Sequence, residues 1–370
     1  MNAFPKSYRF ADVLSIINGR NQKKVEAADG QYPIYGSGGI MGWANDYICP
    51  ENTVVIGRKG SINNPIYVDR KFWNVDTAFG LVPNRNLLLP RYLFYFCVCF
   101  DFEKLNTTVT IPSLTKTNLL QIKMFLPSLG EQEKIICRLD KLCHLIELKK
   151  EQLKQLDVLA KSRFIEMFGD PVENPKKWAT CPLSTLGTFK NGMNFSSNER
   201  GIEIRCLGVG DFKNLSIINT PTKLPIISLA FTPSAEYLLQ DGDIIFVRSN
   251  GNKALVGRCV AIYTHGLPVT FSGFCIRFRV GSDAVNIMYL LRVLKADTIR
   301  KKMAGRGANI QNLNQKILAR LAIPIPPLAL QNEFAAFIEQ LDKSKFSVSQ
   351  QQKTIDSYQR GIILQLAGGE

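Results

Sequence analysis

The chain has 370 residues, which exceeds one ordinary domain, and its 45% hydrophobic and 21% charged residues are typical of a globular protein with buried cores. No apolar run approaches the roughly 18 residues of a membrane span, and the N-terminus lacks a secretory signal pattern. Nine cysteines without CxxC pairs and only two histidines predict no metal site. We therefore expect a cytoplasmic protein without a membrane partner, and the net charge of +15 suggests a polyanionic one.

Residues 1–130 form the first predicted globule, because short β-branched runs bounded by Gly, Asn and Asp predict strands and turns of a twisted, mostly antiparallel sheet. The apolar run 94–100 predicts a core helix. The segment YPIYGSGG (32–39) lacks the Lys-Ser/Thr of a P-loop and has Met41 where a dinucleotide loop needs its third glycine. We interpret it as a tight loop that can approach a ligand or DNA, with candidate contacts at Tyr35, Gly36, Ser37, Gly38 and Gly39.

A second loop, IGRKGSI (56–62), follows the apolar strand that begins at Thr53. Arginine can bind guanine through two hydrogen bonds, and lysine or serine can bind phosphates. This chemistry favours a DNA contact at Arg58, Lys59 and Ser61. An exposed hairpin turn without a ligand would have a similar composition, so that interpretation stays open.

Residues 131–169 form a predicted long helix after the lead-in FLPSLGEQ. Apolar residues recur with alternating spacings of four and three, which predicts a coiled-coil seam. About 38 residues at 1.5 Å per residue would span roughly 57 Å. Ordinary amphipathic helices packed into a globule remain the alternative. The predicted seam residues of this helix are Ile135, Leu139, Leu142, Ile146, Leu153 and Leu156.

Residues 170–330 form the second predicted globule, in which the pair at 191–192 matches Asn18-Gly19 and Ile244–Arg248 matches Val54–Arg58. The run 289–293 predicts another core helix. The loop FVRSNGNKALVGR (246–258) is the counterpart of IGRKGSI, and asparagine adds the ability to bind adenine. The candidate DNA-binding residues of this globule are Lys190, Asn191, Lys213, Arg248, Ser249, Asn250, Asn252 and Lys253.

A second long helix is predicted at 331–370, after the lead-in IPIPPLALQ. A shift of 199 residues aligns 111–169 with 310–368 without a gap, and the identities include Gln132 with Gln331. The chain is therefore predicted to be a pseudo-dimer of the α+β class, with two similar globules separated by two long helices that meet along a coiled-coil seam. The seam residues predicted for this helix are Phe334, Ile338, Leu341, Val348, Ile355 and Ile362.

The excess positive charge lies on the globules. Residues 1–130 carry a net +5 and residues 169–330 a net +10, whereas the two long helices together carry +1. A random surface bias would spread the charge over the helices as well. A binding partner with a phosphate backbone explains better why the charge lies on the globules.

The sequence carries no motif of an enzyme that we could identify: no glycine-rich cofactor loop, Walker sequence, HExxH or GxSxG. His144 lacks a second histidine or a paired carboxylate. The loops 103–115 and 300–314 could lie along phosphates or close each globule onto its helix. A fused methyltransferase or nuclease with unrecognised motifs, and a coiled-coil scaffold that binds no nucleic acid, are the competing interpretations.

The chain resembles the specificity subunit of bacterial type I restriction–modification enzymes. The resemblance covers the whole duplicated plan, and locally YPIYGSGG followed by VVIGRKGSI is similar to a pattern of that family's target-recognition domains. LPSLGEQEKI and IPPLALQNEF are similar to its helix lead-ins. The second globule departs from the first, having Cys206–Gly210 where the first has Tyr35–Gly39.

The resemblance implies that each globule recognises one half of a split sequence in double-stranded DNA. It also implies that the two long helices pack antiparallel and fix the distance between the halves. Two modification subunits, which carry the S-adenosylmethionine chemistry, would dock on the helices, and motor-nuclease subunits that use ATP and Mg would join them for restriction. The chain itself would hold no cofactor and would not be an enzyme. Because the two globules differ in sequence, we expect two different half-sites.

Overall fold

The computed structural model of this chain describes residues 6–105, 113–196, 198–212, 216–304 and 312–366. The middle parts of the two loops predicted to contact phosphates or helices, 106–112 and 305–311, lie outside the described residues. Within the described ranges, no helix is both long enough and apolar enough to cross a membrane.

The chain divides into two compact units. Unit 1 consists of Met1–Gln152 and Ser347–Glu370, and unit 2 consists of Leu153–Phe346. The boundaries between the units lie inside both long helices, after Gln152 and after Phe346, because each helix contributes residues to the apolar cores of both units. The domain boundaries expected from the sequence, after residues 130, 169 and 330, stay a prediction.

Unit 1 is an α+β unit in which short strands precede the first long helix. The long helix α4 begins here and extends into unit 2. The helices are α1 Phe10–Val13, α2 Pro90–Cys99, α3 Lys116–Leu120 and α4 Leu129–Phe168, and the strands are β1 Lys6–Arg9, β2 Leu14–Asn18, β3 Tyr32–Gly36, β4 Gly39–Ala44, β5 Thr53–Gly57, β6 Ile66–Val68, β7 Trp73–Asn74, β8 Ala78–Pro83 and β9 Lys123–Leu126.

Unit 2 repeats this arrangement. The second long helix, α8, begins in unit 2 and extends into unit 1. The helices are α5 Ile287–Leu294, α6 Asp297–Ala304, α7 Gln315–Ala319 and α8 Leu328–Leu366, and the strands are β10 Thr180–Pro182, β11 Gly187–Asn191, β12 Ile202–Leu207, β13 Ile217–Ile218, β14 Ile226–Leu229, β15 Asp243–Val247, β16 Cys259–Ile262, β17 Val269–Phe271, β18 Cys275–Val280 and β19 Ala322–Pro324.

The two units share one sheet topology. The larger sheet of unit 1 has the order β2-β8-β5-β6, and that of unit 2 has β11-β18-β15-β16 with β13 added at the edge. In the smaller sheets, β3 and β12 each pair antiparallel with one neighbour and parallel with the other. Most strand pairs are antiparallel, as predicted. The structure thus confirms the α+β class and the internal repeat.

The apolar core of each unit includes residues of a long helix. In unit 1, Leu139 of α4 is buried among Phe10, Phe96 and Phe102. In unit 2, Phe164 of α4 and Phe334 of α8 are buried with their ring centroids 5.5 Å apart. Helices α2 and α5 bury most of their apolar residues, which confirms the two predicted core helices. Each globule is therefore packed directly onto a long helix.

The long helices begin earlier than predicted. They start inside the lead-ins, at Leu129 and Leu328, soon after the last proline of each. The first N–H groups of a helix have no partner within it, so a proline just before the first turn is tolerated. Helix α4 ends as predicted, at Gly169, which has a φ of 77° and donates its N–H to the Ile165 carbonyl at 2.8 Å.

Within unit 1, the two long helices contact each other. The Gln359 amide nitrogen lies 3.0 Å from the Cys143 sulfur, and Ile362 packs on the same core cluster as Leu139. Increasing residue numbers in α8 therefore correspond to decreasing numbers in α4, so the helices are antiparallel there.

Within unit 2, two ion pairs join the same helices. Arg163 contacts Glu333 at 3.0 Å, and Lys345 contacts Asp157 at 2.6 Å. The order of these pairs again makes α4 and α8 antiparallel. The predicted seam residues are all buried or half-buried, with Leu139, Ile146, Phe334, Leu341 and Val348 the most buried.

The junction between each globule and its long helix contains a fully buried glutamine. In unit 1, Gln132 accepts the Leu89 N–H at 2.9 Å and donates to the carbonyls of Leu87 at 2.8 Å and Pro127 at 3.0 Å. Because a buried amide is costly without partners, these bonds fix the first turn of α4 to the segment before α2.

In unit 2, Gln331 makes the equivalent bonds. It accepts the Asn286 N–H at 2.8 Å and donates to the carbonyls of Ala284 at 3.1 Å and Pro326 at 2.8 Å. The two glutamines are the pair that the 199-residue shift aligned. The same junction is therefore built twice.

We predict that Gln331→Ala lowers the free energy of unfolding of unit 2 by about 2 kcal/mol, because one N–H and two carbonyls lose their buried partner. Urea unfolding followed by circular dichroism measures this change. Gln340→Ala, at an exposed position of the same helix, is the matched control and should change stability by less than about 0.5 kcal/mol. Equal effects of the two substitutions would contradict the role of the buried amide.

Candidate nucleic-acid interface

Each unit places an arginine directly after a central strand. The same pattern of backbone hydrogen bonds surrounds both arginines, and we call this pattern the frame. In unit 1, Arg58 donates its N–H to the Thr77 carbonyl at 2.8 Å, and its carbonyl accepts the Leu114 N–H at 2.9 Å. The next residue, Lys59, also donates to Thr77, at 3.3 Å. The strand before it is fully buried, so the chain leaves the core at this arginine.

In unit 2, Arg248 takes the equivalent place. Its N–H donates to the Phe274 carbonyl at 2.8 Å, and its carbonyl accepts the Leu313 N–H at 2.9 Å. Ser249 donates to the same Phe274 carbonyl at 3.4 Å. The frame thus supports the alignment of Arg58 with Arg248.

The two predicted loops of unit 1 adjoin each other. A Cβ added to Gly57 would lie 3.0 Å from the Ser37 Cβ and 2.3 Å from the Ser61 carbonyl oxygen. The tight turn 36–39 between β3 and β4 therefore lies beside the turn that carries Arg58, Lys59 and Ser61. This is the close backbone approach for which glycine is needed.

The side chains of this surface differ in exposure. Arg58 and Lys59 are exposed, as are Ser61 and Gly38, and the Arg58 guanidinium lies 5.7 Å from the Phe79 ring centroid. Tyr35 is half-buried with its ring centroid 5.4 Å from that of Phe72, and burial raises the pKa of its hydroxyl. Tyr35 therefore packs partly into the core beside the 36–39 turn, and the rest of its side chain stays accessible next to that turn.

In unit 2, the loop after Arg248 is organised by its own asparagines. Asn250 accepts the Asn252 N–H at 2.7 Å, and Asn252 accepts the Ala254 N–H at 3.0 Å. These bonds fix the turn while both amide nitrogens remain available as donors. Lys213 lies outside the described residues, and so does the side chain of Lys253.

The other two candidates of unit 2 have partners within the chain. Lys190 pairs with Glu236 at 2.7 Å and lies 4.6 Å from the Tyr237 ring centroid, and the hydrogen bond to Glu236 raises the pKa of the Lys190 ammonium. Asn191 accepts a hydrogen bond from Gln315 at 3.0 Å. These contacts hold both side chains at the end of β11, where Lys190 is half-buried and Asn191 stays exposed.

The glycines that follow β2 and β11 explain the matching Asn-Gly pairs. A Cβ at Gly19 would lie 1.7 Å from the Val75 carbonyl oxygen, and a Cβ at Gly192 would lie 2.0 Å from the Ser272 carbonyl oxygen. No larger residue fits without moving the backbone. Each Asn-Gly pair therefore marks a place where two backbone segments of the unit pass in close contact.

The strand pairing corrects one detail of the sequence alignment. Strand β3 pairs Tyr35 with Asn74, and strand β12 pairs Leu207 with Phe271. The Tyr35 carbonyl accepts the Val75 N–H at 3.0 Å, as the Leu207 carbonyl accepts the Ser272 N–H at 3.0 Å. Tyr35 therefore corresponds to Leu207, one residue after Cys206, with which the sequence comparison aligned it.

Phe274 is not among the candidate residues of the sequence. Strand β18 begins at Cys275, and the Phe274 side chain before it is 61% exposed, with the Phe274 carbonyl accepting the N–H groups of Arg248 and Ser249. Thr77 stands at the equivalent position in unit 1. The one available signal was the SG turn directly before Phe274, which places the aromatic residue outside the strand.

Several cysteines are buried in the two units. Burial raises the pKa of the Cys49, Cys99 and Cys206 thiols to about 12, so these groups stay protonated at neutral pH. Among the residues that the structure describes, no group of three or more His, Cys, Asp or Glu could hold a metal ion.

Comparisons with known proteins give one consistent family. The family model described as "Type I restriction modification DNA specificity domain" matches residues 6–158 and 175–355. The chain is 24% identical to the type I restriction enzyme StySPI specificity subunit of Salmonella potsdam, over 87% of this chain and 75% of that protein. It is 23% identical to the EcoDI specificity subunit of Escherichia coli, over 91% of this chain and 81% of that protein.

Solved structures share the fold. The S subunit of a type I restriction–modification system from M. genitalium has a TM-score of 0.59 at 16% identity, with 99% of this chain and 97% of that chain covered. A structure from a study of complex assembly and conformational transition of the type I R-M system has a TM-score of 0.63 at 16% identity, with 98% and 97% covered.

Proposed function

The chain belongs to the type I restriction–modification DNA specificity family, and we propose that it reads a split DNA target with the surfaces around Arg58 and Arg248. The family model matches twice, once in each repeat, so the chain is a specificity subunit with two recognition domains. The observation that carries the assignment of the surfaces is the shared backbone frame, which presents one arginine per unit at equivalent positions.

The side chains of each surface determine which DNA groups it would contact. Arg58 and Arg248 would bind a guanine edge or a phosphate, and Asn250 and Asn252 would bind adenine or phosphate oxygens. The glycines of the 36–39 turn let the backbone approach the duplex. The two surfaces carry different residues on one frame, which supports two unlike half-sites.

The long helices determine the spacing between the half-sites in this proposal. Each globule is fixed to a helix by a buried glutamine, and the helices contact each other within each unit. The helix length therefore sets the unspecified spacer of the target. Half-sites in neighbouring grooves, about one helical turn apart, are the natural geometry.

The partners are double-stranded DNA and the modification subunits, which carry S-adenosylmethionine; motor-nuclease subunits that use ATP and Mg join for restriction. Large apolar side chains on the outer face of α4, such as Leu148, Val158 and Ile165, are exposed and would be covered by a docked subunit. Because the repeat makes two equivalent positions, two modification subunits fit one chain. The complex would act in the cytoplasm, where the DNA is.

Family membership decides between this function and the two competing interpretations. A fused methyltransferase or nuclease would belong to a catalytic family, whereas the relatives of this chain are specificity subunits. A scaffold that binds no nucleic acid would not match a DNA specificity domain in both repeats. The chain is therefore not an enzyme but the DNA-reading component of one.

We predict that Arg58→Ala and Arg248→Ala each weaken binding to target DNA by about 1–3 kcal/mol and relax specificity in one half-site only. Fluorescence anisotropy with a target duplex measures the affinity, and methylome sequencing of cells that express the variant with the modification subunit measures specificity. Lys343→Ala on α8, which removes the same charge, is the control and should leave both unchanged. Relaxation of both half-sites by one substitution would contradict the assignment.

We predict that removing one heptad from each long helix, residues 146–152 and 350–356, shortens the spacer of the target by about three base pairs. Seven residues correspond to about 10 Å of helix, or about three steps of 3.4 Å along DNA. Methylome sequencing gives the new target. Alanine at Glu147 and Glu151, two exposed positions of the deleted segment, is the control. A deletion variant that still methylates the original spacer would exclude a ruler function.

We predict a ratio of two modification subunits to one chain in native mass spectrometry of the co-expressed complex. Leu148→Glu together with Ile165→Glu should reduce this ratio, because the substitutions place charges on an apolar docking face. Lys150→Glu is the control at an exposed polar position of the same helix. A stable complex of one to one in the unchanged protein would be inconsistent with docking on both repeats.

A further inference from the structure

Unit 2 exposes an aromatic ring in the middle of its polar recognition surface. The Phe274 side chain is 61% exposed, although the next residue, Cys275, is fully buried at the start of β18. A phenylalanine at this place contributes little to the core of unit 2. Its neighbours across the frame are Arg248 and Ser249, and Asn250 and Asn252 follow them in the same loop.

The backbone of Phe274 is held in a fixed position. Its carbonyl accepts two N–H groups, from Arg248 and Ser249, and its own N–H donates to the Ser272 hydroxyl at 3.3 Å. The preceding residue, Gly273, donates to the Met193 carbonyl at 2.7 Å. The ring therefore has only its own two side-chain torsions free, so little conformational entropy would be lost when it is covered.

We propose that Phe274 packs its ring against a nucleobase of the half-site that unit 2 reads. This inference rests on the proposed function of the Arg248 surface and names a further specificity-determining residue of it. Among the described residues, Phe274 is a large exposed apolar side chain next to an arginine and a serine, and two asparagines follow these in the same loop. A protein partner would require a wider apolar patch, whereas a base offers one aromatic face beside charged phosphates, which this mixture complements.

The two units differ at this position. Thr77 occupies the same place in the frame of unit 1, accepting the N–H groups of Arg58 and Lys59, and it is half-buried. A threonine cannot stack on a base. The proposal therefore assigns the aromatic contact to one half-site only, and the effect of its loss must be confined to that half.

The test compares Phe274→Ala with Phe274→Trp, which keeps an aromatic face. We expect Phe274→Ala to weaken binding to the target duplex by about tenfold or more, and Phe274→Trp to stay within about threefold of the unchanged protein. The slope of log Kd against log salt concentration should not change, because no phosphate charge loses its partner. Phe346→Ala, at a similarly exposed phenylalanine on α8, is the control and should not affect DNA binding.

Methylome sequencing of cells expressing each variant with the modification subunit supplies the second measurement. Phe274→Ala should relax one or two positions of one half-site, the half that Arg248→Ala also relaxes, and leave the other unchanged. Unchanged affinity for Phe274→Ala together with weakened binding by Arg248→Ala would overturn this proposal and leave the proposed function intact. Unchanged binding by Phe274→Ala, Arg58→Ala and Arg248→Ala alike would overturn both. A reduced salt slope for Phe274→Ala would show that it acts through the phosphate contacts of the loop and would also refute the base contact.

Discussion

The junction between each globule and its long helix depends on one buried side-chain amide. Gln132 and Gln331 lie in the first turns of α4 and α8, where helical N–H groups lack internal partners and the chain changes direction. Each amide bonds to one N–H and two carbonyls of the segments that meet there. A different helix direction would break all three bonds in a dry environment, so the globule and its helix behave as one body within each unit.

The duplication explains which features the two units share and which differ. The shared features are made by the backbone: the strand order, the close backbone contacts at Gly19 and Gly192, and the frame around Arg58 and Arg248. The differing features are side chains that project from this frame, such as Thr77 and Phe274. Because backbone hydrogen bonds do not depend on side-chain identity, the surface can change without loss of the fold. Two different DNA half-sites can thus be read by one architecture.

Sequence periodicity was sufficient for the parts of the fold that are locally determined. The alternating spacing of four and three placed the seam residues of both helices, because the period of a helix follows from the chain itself. The match of Val54–Arg58 with Ile244–Arg248 located the central strand of each larger sheet. Two features depend instead on contacts between distant segments of the chain. They are the parallel pairing of β3 with β7 and the equivalence of Tyr35 in unit 1 with Leu207 in unit 2. Likewise, no local pattern shows that Lys190 lies against Glu236.

The polar positions of the helix seam have a physical role that apolar residues could not fill. The spacing of four and three that predicts the seam also includes polar residues, namely Lys345, four residues after Leu341, and Arg163, seven residues after Leu156. In unit 2, Lys345 contacts Asp157 and Arg163 contacts Glu333. Such partly exposed pairs add little stability. Apolar side chains, however, pack almost equally well after a shift of one heptad, whereas a shifted lysine or arginine would lose its carboxylate. The ion pairs therefore favour one register over its neighbours. For the proposed role of the helices as a spacer, a single register would matter more than additional stability.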